Sequence, residues 1–482
     1  MAITRRSLLQ MIAGTSGALL AGRTFGNSNH SGPRAGTVDW TQLQNNVKGR
    51  VVVRGRADYE SDRHTMAWNA VKPERFPDAI VHVASENDVS EAIRFARRHK
   101  LKVAIRGGGH NWHNAALRQG GVLLDLSRLN QLQVDVEQRK AVVQPGVTGA
   151  AFIANLAPHW LAFPVGHCPN VGLSGFLLNG GLGWNYGNWG PSCASIEALD
   201  IVDARGELIR ADQHRNADLL WAARGAGPGF FGVVTRFHLK VFPLPRAILR
   251  SSLVYPIEDF DKVAAWLPEI ARSVPAELMF SFYNREIEIQ AWAFADTVAD
   301  ARNALQALET EPAGLHARSK HLNRESSVDE VFGAVNENSG PGPRYAGDGV
   351  WSNASSQDLL HKVRDSILAA PSDSSWVEFH LPQVQVRPQL PDMAFSVFAS
   401  IHVGVYSNWN DAEHDAANRA WVRSTIASLE PLKVGYYVGE SDLTVAANRA
   451  QQCFSPSAWG KLIELKRKYD PHNVFFSYLQ HP

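Results

Sequence analysis

Cysteine is scarce. The 482 residues hold three, Cys168, Cys193 and Cys453, too few for a disulfide framework and without the paired C-x-x-C spacing of a zinc site. An excess of charge of one sign is also lacking. Forty-eight basic side chains stand against 47 acidic ones, a net of +1, so no global field holds a nucleic-acid backbone or an anionic bilayer. No local basic patch supplies one, and no nucleic-acid partner is expected. Neither H-E-x-x-H nor G-x-S-x-G occurs, which removes the common zinc-protease and nucleophile-elbow chemistries. There is no internal repeat and no low-complexity block. What is there, 45% hydrophobic and 20% charged residues, is the composition of a soluble globular protein of more than one domain.

The first segment reads as an address. Thr4-Arg5-Arg6-Ser7-Leu8 precedes a short apolar run from Met11 to Gly22, which then turns polar at Arg23. The run is too short to cross a hydrocarbon core of about 30 Å, so no stable membrane anchor is expected. The adjacent arginines ahead of it match a twin-arginine signal, assigned to residues 1–26. The partner this implies is the twin-arginine export machinery, and the destination is periplasmic or secreted. A route that carries folded proteins suits a chain that must take up a cofactor first.

Residues 27–75 are polar, show no sustained period and read as a leader into the first domain. Periodicity begins after Pro77. Ile80 to Val83 is a short strand, and Ser85-Glu86-Asn87-Asp88 caps a helix carrying Val89, Ala92, Ile93 and Ala96 on one face. Strands follow at Lys102 to Ile105, Val122 to Asp125 and Ala141 to Val143. Glycine then crowds the stretch from Gly166 to Gly190, among large apolar side chains, where backbone must approach something closely. Beyond Pro243 and Pro245 the pattern changes. Glu286 to Ala291 and Ile401 to Val405 alternate like half-buried antiparallel strands, with helical stretches such as Asp259 to Ala271 between them. A domain boundary is placed near Arg246, and an amphipathic segment from Ala458 to Lys468 closes the chain.

Gly227-Pro228-Gly229-Phe230-Phe231-Gly232 fits G-x-G-x-x-G, yet the residues after it, Val233 to Val241, alternate like a strand. A dinucleotide fingerprint needs a helix there, so the match is read as fortuitous. His110-Asn111-Trp112-His113 with His167-Cys168 matches no standard metal spacing, and no metal is expected. Gly107-Gly108-Gly109 after a strand presents bare backbone N–H groups of the kind that cradle phosphate, with Arg106 as counter-charge and His110 as a nucleophile behind them.

With these loops in view, the chain resembles the berberine bridge enzyme-like branch of the vanillyl-alcohol oxidase / p-cresol methylhydroxylase (PCMH-type) flavoprotein family. The resemblance runs from about Pro77 to Pro245 and returns in Lys466-Arg467-Lys468-Tyr469-Asp470-Pro471-His472-Asn473-Val474-Phe475. It implies that the loop from Arg106 through Gly107, Gly108, Gly109 and His110 to Asn111 binds FAD, with His110 bonded to the flavin 8-methyl carbon. Gly166-His167-Cys168-Pro169-Asn170-Val171-Gly172 matches the family's G-x-C-P-x-V-G, whose cysteine is bonded to flavin C6. Trp221-Ala222-Ala223-Arg224-Gly225-Ala226-Gly227 and Gly232-Val233-Val234 match its other FAD-lining runs. Asn179-Gly180-Gly181 stands where the family has three glycines. Gly172, Gly175, Gly180, Gly181, Gly232, Val233 and Asn473 complete the implied cofactor set.

The fold this implies is α+β: a PCMH-type FAD-binding domain over residues 50–245, a substrate domain over 246–445 and a C-terminal segment, 446–482, returning to the first. The substrate domain is an antiparallel sheet backed by helices. The implied reaction is oxidation of a small molecule bearing a hydroxyl group, by hydride transfer to flavin N5, with molecular oxygen reduced to hydrogen peroxide. In the family a valine three residues after the flavin cysteine goes with oxygen access, and Val171 holds that position. Family carbohydrate oxidases take their base from Y-x-N, where this chain has Tyr437-Val438-Gly439. Tyr437 is the first candidate base and Glu440 the second, with Glu378 and Asp348 in reserve. Amine or alkaloid C–N oxidation, a flavin dehydrogenase using another acceptor, and a ligand-binding flavoprotein without turnover stay open. Trp184 and Trp189 read as packing partners more than as an aromatic wall, and Cys193 and Cys453 have no evident mates.

Overall fold

The computed structural model describes residues 38–331, 342–382 and 388–479. The chain divides between Asp39 and Trp40, and the unit Trp40–Pro482 holds every element described below. Residues 1–26, with the expected export signal, lie outside the described residues. No helix among the described residues is long and apolar enough to cross a membrane.

The first sheet combines β1 (Arg50–Val53), β2 (Ala79–His82), β3 (Val103–Arg106) and β4 (Val122–Asp125) in the order β1-β2-β4-β3. Its β2-β4 and β4-β3 pairs are parallel and β1-β2 is antiparallel. The crossover from β2 to β3 is the helix Glu86–Arg98. It begins where the sequence indicates, because the Ser85 hydroxyl accepts the Asp88 N–H at 3.3 Å. Val89, Ala92, Ile93 and Ala96 on its inner face are fully buried. Val103 also pairs with Phe475 in parallel, so the end of the chain extends this sheet beside β3.

The polar stretch read as a leader is structured from Trp40 onward, in correction of the sequence reading. It forms the helix Trp40–Asn46, the edge strand β1 and the helix Tyr59–Thr65. Buried Leu43, Val52, Tyr59 and Met66 anchor it. These elements are one to two turns long, too short to print a hydrophobic period.

A second, antiparallel sheet holds β5 (Leu132–Asp135), β6 (Lys140–Val143), β8 (Ile196–Val202), β9 (Leu208–Asp212) and β10 (Val233–Lys240), in the order β5-β6-β10-β8-β9. A small pair joins β7 (Leu161–Ala162) to β11 (Phe242–Pro243). As the alternation after Gly232 requires, β10 is a strand; no helix follows the G-x-G-x-x-G match.

The largest sheet has eight antiparallel strands: β12 (Ala247–Pro256), β13 (Glu277–Phe282), β14 (Glu286–Ala295), β15 (Ser319–Glu325), β16 (Arg344–Ser352), β17 (Trp376–Leu381), β18 (Ile401–Trp409) and β19 (Lys433–Tyr436). Their order is β15-β12-β14-β13-β17-β18-β16-β19. One face packs on the helices Val298–Leu305, Ser356–Leu368 and Asp415–Leu429. Ile287 and Ile289 of β14 are fully buried there, each worth about 1.5–3 kcal/mol. The alternate residues Glu288 and Gln290 point the other way. That second face is what makes a site.

Candidate active site

A single cavity of about 830 Å³ is walled by the glycine loops at one end and by the polar face of the eight-stranded sheet at the other. Arg106, Gly107, Gly108, Gly109, His110 and Asn111 line it, as do Cys168, Val171, Gly172, Gly175, Gly232, Tyr437 and Glu440. Four of the expected residues do not. Gly180 and Gly181 lie just behind the wall, where a Cβ on Gly180 would sit 2.7 Å from the Phe395 ring. The Gly181 N–H donates to the Tyr437 hydroxyl at 3.2 Å, so this turn carries the wall without forming it. Val233 is buried in β10 against Val202. Asn473 turns the chain at φ 51°, and it is Phe476 that reaches the cavity.

Why the loops must be glycine is visible at their meeting point. A Cβ on Gly108 would lie 2.8 Å from the Gly172 nitrogen, and one on Gly172 2.7 Å from the Gly108 nitrogen. Gly109 next turns at φ 70°, a conformation that L side chains resist. The two segments that bring His110 and Cys168 to the cavity thus touch backbone to backbone. Gly108→Ala is expected to cost about 1–3 kcal/mol by overpacking and to lower retention of the cofactor; an unchanged melting temperature with full flavin content would contradict this contact.

Arg106 is more fully engaged than the sequence suggests. Its Nη1 meets Asp125 Oδ1 at 2.7 Å and its Nε donates to the Met66 carbonyl at 3.1 Å. Burial opposes charge on Asp125, but hydrogen bonding to His82 and the Arg106 guanidinium outweigh it and hold the carboxyl down to about 2. Arg106 therefore staples the glycine loop. Arg118, unremarked in the sequence, lines the same end of the cavity with no ion-pair partner among the described residues. Arg106 and Arg250, the other arginines on the wall, both have carboxylate partners.

His110 lies stacked on Trp68, ring centroids 4.2 Å apart, and Trp68 stacks in turn on Tyr345 at 4.3 Å. Burial pushes the imidazole down to about 4, so it is neutral at ordinary pH. Its Nε2 is buried without a hydrogen-bond partner. An orphaned, neutral ring nitrogen on a cavity wall is costly unless something meets it.

At the sheet end, Glu288, Ser281 and Glu378 form one row across β14, β13 and β17. Gln290, Met279 and His380 form the next. Aromatic rings close the sides: Trp376 on Tyr406 at 5.0 Å and Tyr406 on Trp112 at 5.3 Å. Neither Trp184 nor Trp189 is among the lining residues; Trp184 packs against Trp292 and Trp189 against Phe242.

The two candidate bases differ sharply. Tyr437 is 5% exposed, its oxygen engaged by the Gly181 N–H, and burial pushes its phenol far above the usual range. Glu440 accepts a hydrogen bond from the Tyr406 hydroxyl at 2.7 Å. Burial raises its carboxyl to about 7, with the charge of Glu378 adding to the rise and the Tyr406 bond opposing it. Of the reserves, Glu378 lines the cavity. Asp348 does not; it is buried in an ion pair with Arg449 at 2.8 Å. No disulfide joins the cysteines among the described residues. Cys193 faces Met393 and Cys453 the Arg449 carbonyl.

The sequence profile of the FAD binding domain matches residues 77–212. The FAD-linked oxidoreductase nodO of Hypoxylon pulicicidum is 30% identical over 423 residues, 86% of this chain and 93% of that protein. The chain belongs to the FAD-linked oxidoreductase family. Its fold is that of the berberine bridge enzyme-like, PCMH-type branch. The 6-hydroxy-D-nicotine oxidase of Arthrobacter nicotinovorans superposes with a TM-score of 0.78 at 22% identity, covering 90% of this chain and 98% of that one. An isoleucine-to-valine variant of Phl p 4 named a glucose oxidase gives 0.78 at 17% identity, covering 90% and 97%. The site of this FAD-linked oxidoreductase fits the cofactor. Paired glycine loops offer backbone donors, a Cβ on Gly175 would meet nothing within 4 Å, and His110, which lines the cavity, carries a buried ring nitrogen with no hydrogen-bond partner.

Proposed function

We propose that this FAD-linked oxidoreductase is an oxidase acting on a hydroxyl-bearing small molecule, with its flavin bonded to both His110 and Cys168. The observation that carries the reading is that both residues, 58 positions apart, stand on the wall of the same cavity as an elevated carboxyl, Glu440. Bound FAD supplies the hydride acceptor and, through oxygen, the route to hydrogen peroxide. The chain supplies the rest. Gly107 to Gly109 and Arg118 hold the phosphates, and the Trp68–Tyr345 stack fixes the His110 ring. Glu440 takes the proton of the substrate hydroxyl, and the Tyr406 hydroxyl stabilises the carboxylate that must do so. In the same reading the protein is exported folded, through the twin-arginine route, to the periplasm or beyond.

A peroxide-coupled panel of alcohols, saccharides and amines tests this reading. Peroxide formed in step with alcohol or saccharide oxidation supports it, and flavin reduction without peroxide refutes the oxidase assignment. Val171, beside Cys168 on the wall, is the proposed oxygen gate. Val171→Leu is expected to slow reoxidation by oxygen by about tenfold, a barrier of about 1.4 kcal/mol, while reduction by substrate persists. Stopped-flow measurement of the two half-reactions separates them.

One observation favours C–N oxidation of an amine as a second reading. The sheet end presents Glu288, Glu378 and Glu440 beside Tyr283, Trp376 and Tyr406, with Arg250 the cation there. Carboxylates and aromatic faces together suit an ammonium group. Turnover of amines and not of their isosteric alcohols selects this reading.

A further inference from the structure

Behind the cavity wall, three side chains from three segments converge. His167 comes from the loop that carries Cys168, Glu277 from the start of β13 and His380 from β17. One ligand-type atom from each lies within 4.8 Å of the others. His380 Nε2 is 3.0 Å and His167 Nε2 3.5 Å from the same oxygen, Glu277 Oε1. The other oxygen, Oε2, is occupied by the Asn185 N–H at 2.6 Å. That bond fixes the carboxylate plane and leaves Oε1 for the two imidazoles.

The electrostatics favour a cation. Glu277 is 0% exposed, and no lysine or arginine reaches it among the described residues. Its only partners among the described residues are the two imidazoles and the Asn185 N–H, so a carboxylate this buried has no permanent positive charge beside it. Two imidazole nitrogens turned toward one carboxylate oxygen form the donor set of zinc and similar divalent ions. A tetrahedral ion with bonds of about 2.0–2.2 Å spaces its donors about 3.3–3.6 Å apart; the two nitrogen–oxygen distances, 3.0 and 3.5 Å, lie near that range, and all three donors fall within 4.8 Å of one another. The surroundings hold the donors in place. Trp184 meets the His167 ring edge-on at 4.4 Å and Tyr186 meets His380 at 5.3 Å. The Tyr186 hydroxyl is buried without a partner. Of the three, His167 lines the cavity, which gives an ion a way in.

We propose that His167, Glu277 and His380 form a divalent metal site of the zinc class, buried beside the flavin-binding loop. Three protein donors leave one tetrahedral corner for water, and the Tyr186 hydroxyl is at hand for its hydrogen bond. The ion would tie the Cys168 loop to the large sheet, joining the cofactor end of the cavity to the substrate end. Nothing in this site depends on the flavin linkage or on the choice of substrate.

Zinc alone is the probe. Holoenzyme purified without chelators, incubated with zinc chloride and desalted, is expected to retain one zinc per chain by elemental analysis. Glu277→Gln and His380→Ala are expected to retain none, with secondary structure unchanged by circular dichroism. Wild-type protein that retains no zinc overturns the proposal without any variant and assigns the counter-charge to an imidazolium. Zinc retained equally by wild type and by folded variants overturns it too. His380→Gln, nearer in size, serves where His380→Ala fails to fold, and a cobalt-loaded wild type should show the intense visible bands of a tetrahedral ion.

Discussion

Exchanging Glu440 for Gln is expected to lower the rate of flavin reduction by substrate about 10²- to 10⁴-fold, the range for loss of a general base. Affinity for the substrate should change far less, because Gln keeps the size and a hydrogen bond to Tyr406. The wild-type rate should rise with pH through about 7 and then level, as the carboxyl loses its proton. The groups that set this limb are Tyr406, Glu378, His380 and Asp348. Removing the Tyr406 hydroxyl in Tyr406→Phe takes away the bond that favours the anion, so the limb should move to higher pH. Tyr437→Phe, by contrast, should keep most of the rate. If Tyr437→Phe is the crippling change and Glu440→Gln is mild, the roles assigned here are reversed. The same group leaves a mark on stability. Its folded pKa stands above the ordinary 4.5, so the native state binds more protons between that value and about 7, and stability falls as pH rises across this window.

The double variant His110→Ala/Cys168→Ala should release all its FAD on denaturation, whereas wild type should release none. Each single variant should keep one bond and stay yellow after denaturation. The expectation rests on different physics at the two residues. His110 is neutral and stacked, its Nε2 buried and unmet, so it is ready to act as a nucleophile. Cys168 lines the same cavity, close to Tyr345 and Tyr406. Flavin that stays bonded in the double variant would place the linkages elsewhere.

Much of this was legible in the residues. The Ser85 cap, β2 to β4 and β6, the alternation of β14 and β18, and the strand after the false G-x-G-x-x-G are local patterns, and each has a local cause. The glycine loops were legible because close backbone approach leaves no alternative residue. Arg118 was not, since a lone arginine in a loop carries no spacing. Nor was the preference for Glu440 over Tyr437. It depends on burial and on Tyr406, a strand partner far away in sequence. Gly180, Gly181, Val233 and Asn473 sit in conspicuous motifs, yet those motifs shape turns and a strand behind the wall. The His167–Glu277–His380 cluster was invisible for the same reason: its members are 110 and 103 residues apart and meet only across a loop and two strands.

The central claim is that one FAD is bonded to this chain at two places. Its most direct test is the intact mass of the wild-type protein after denaturation, followed by mapping of the flavin-bearing peptides. The mass should exceed that of the polypeptide by one FAD, with flavin on peptides containing His110 and Cys168. A bare polypeptide mass, with free FAD in the supernatant, would contradict it.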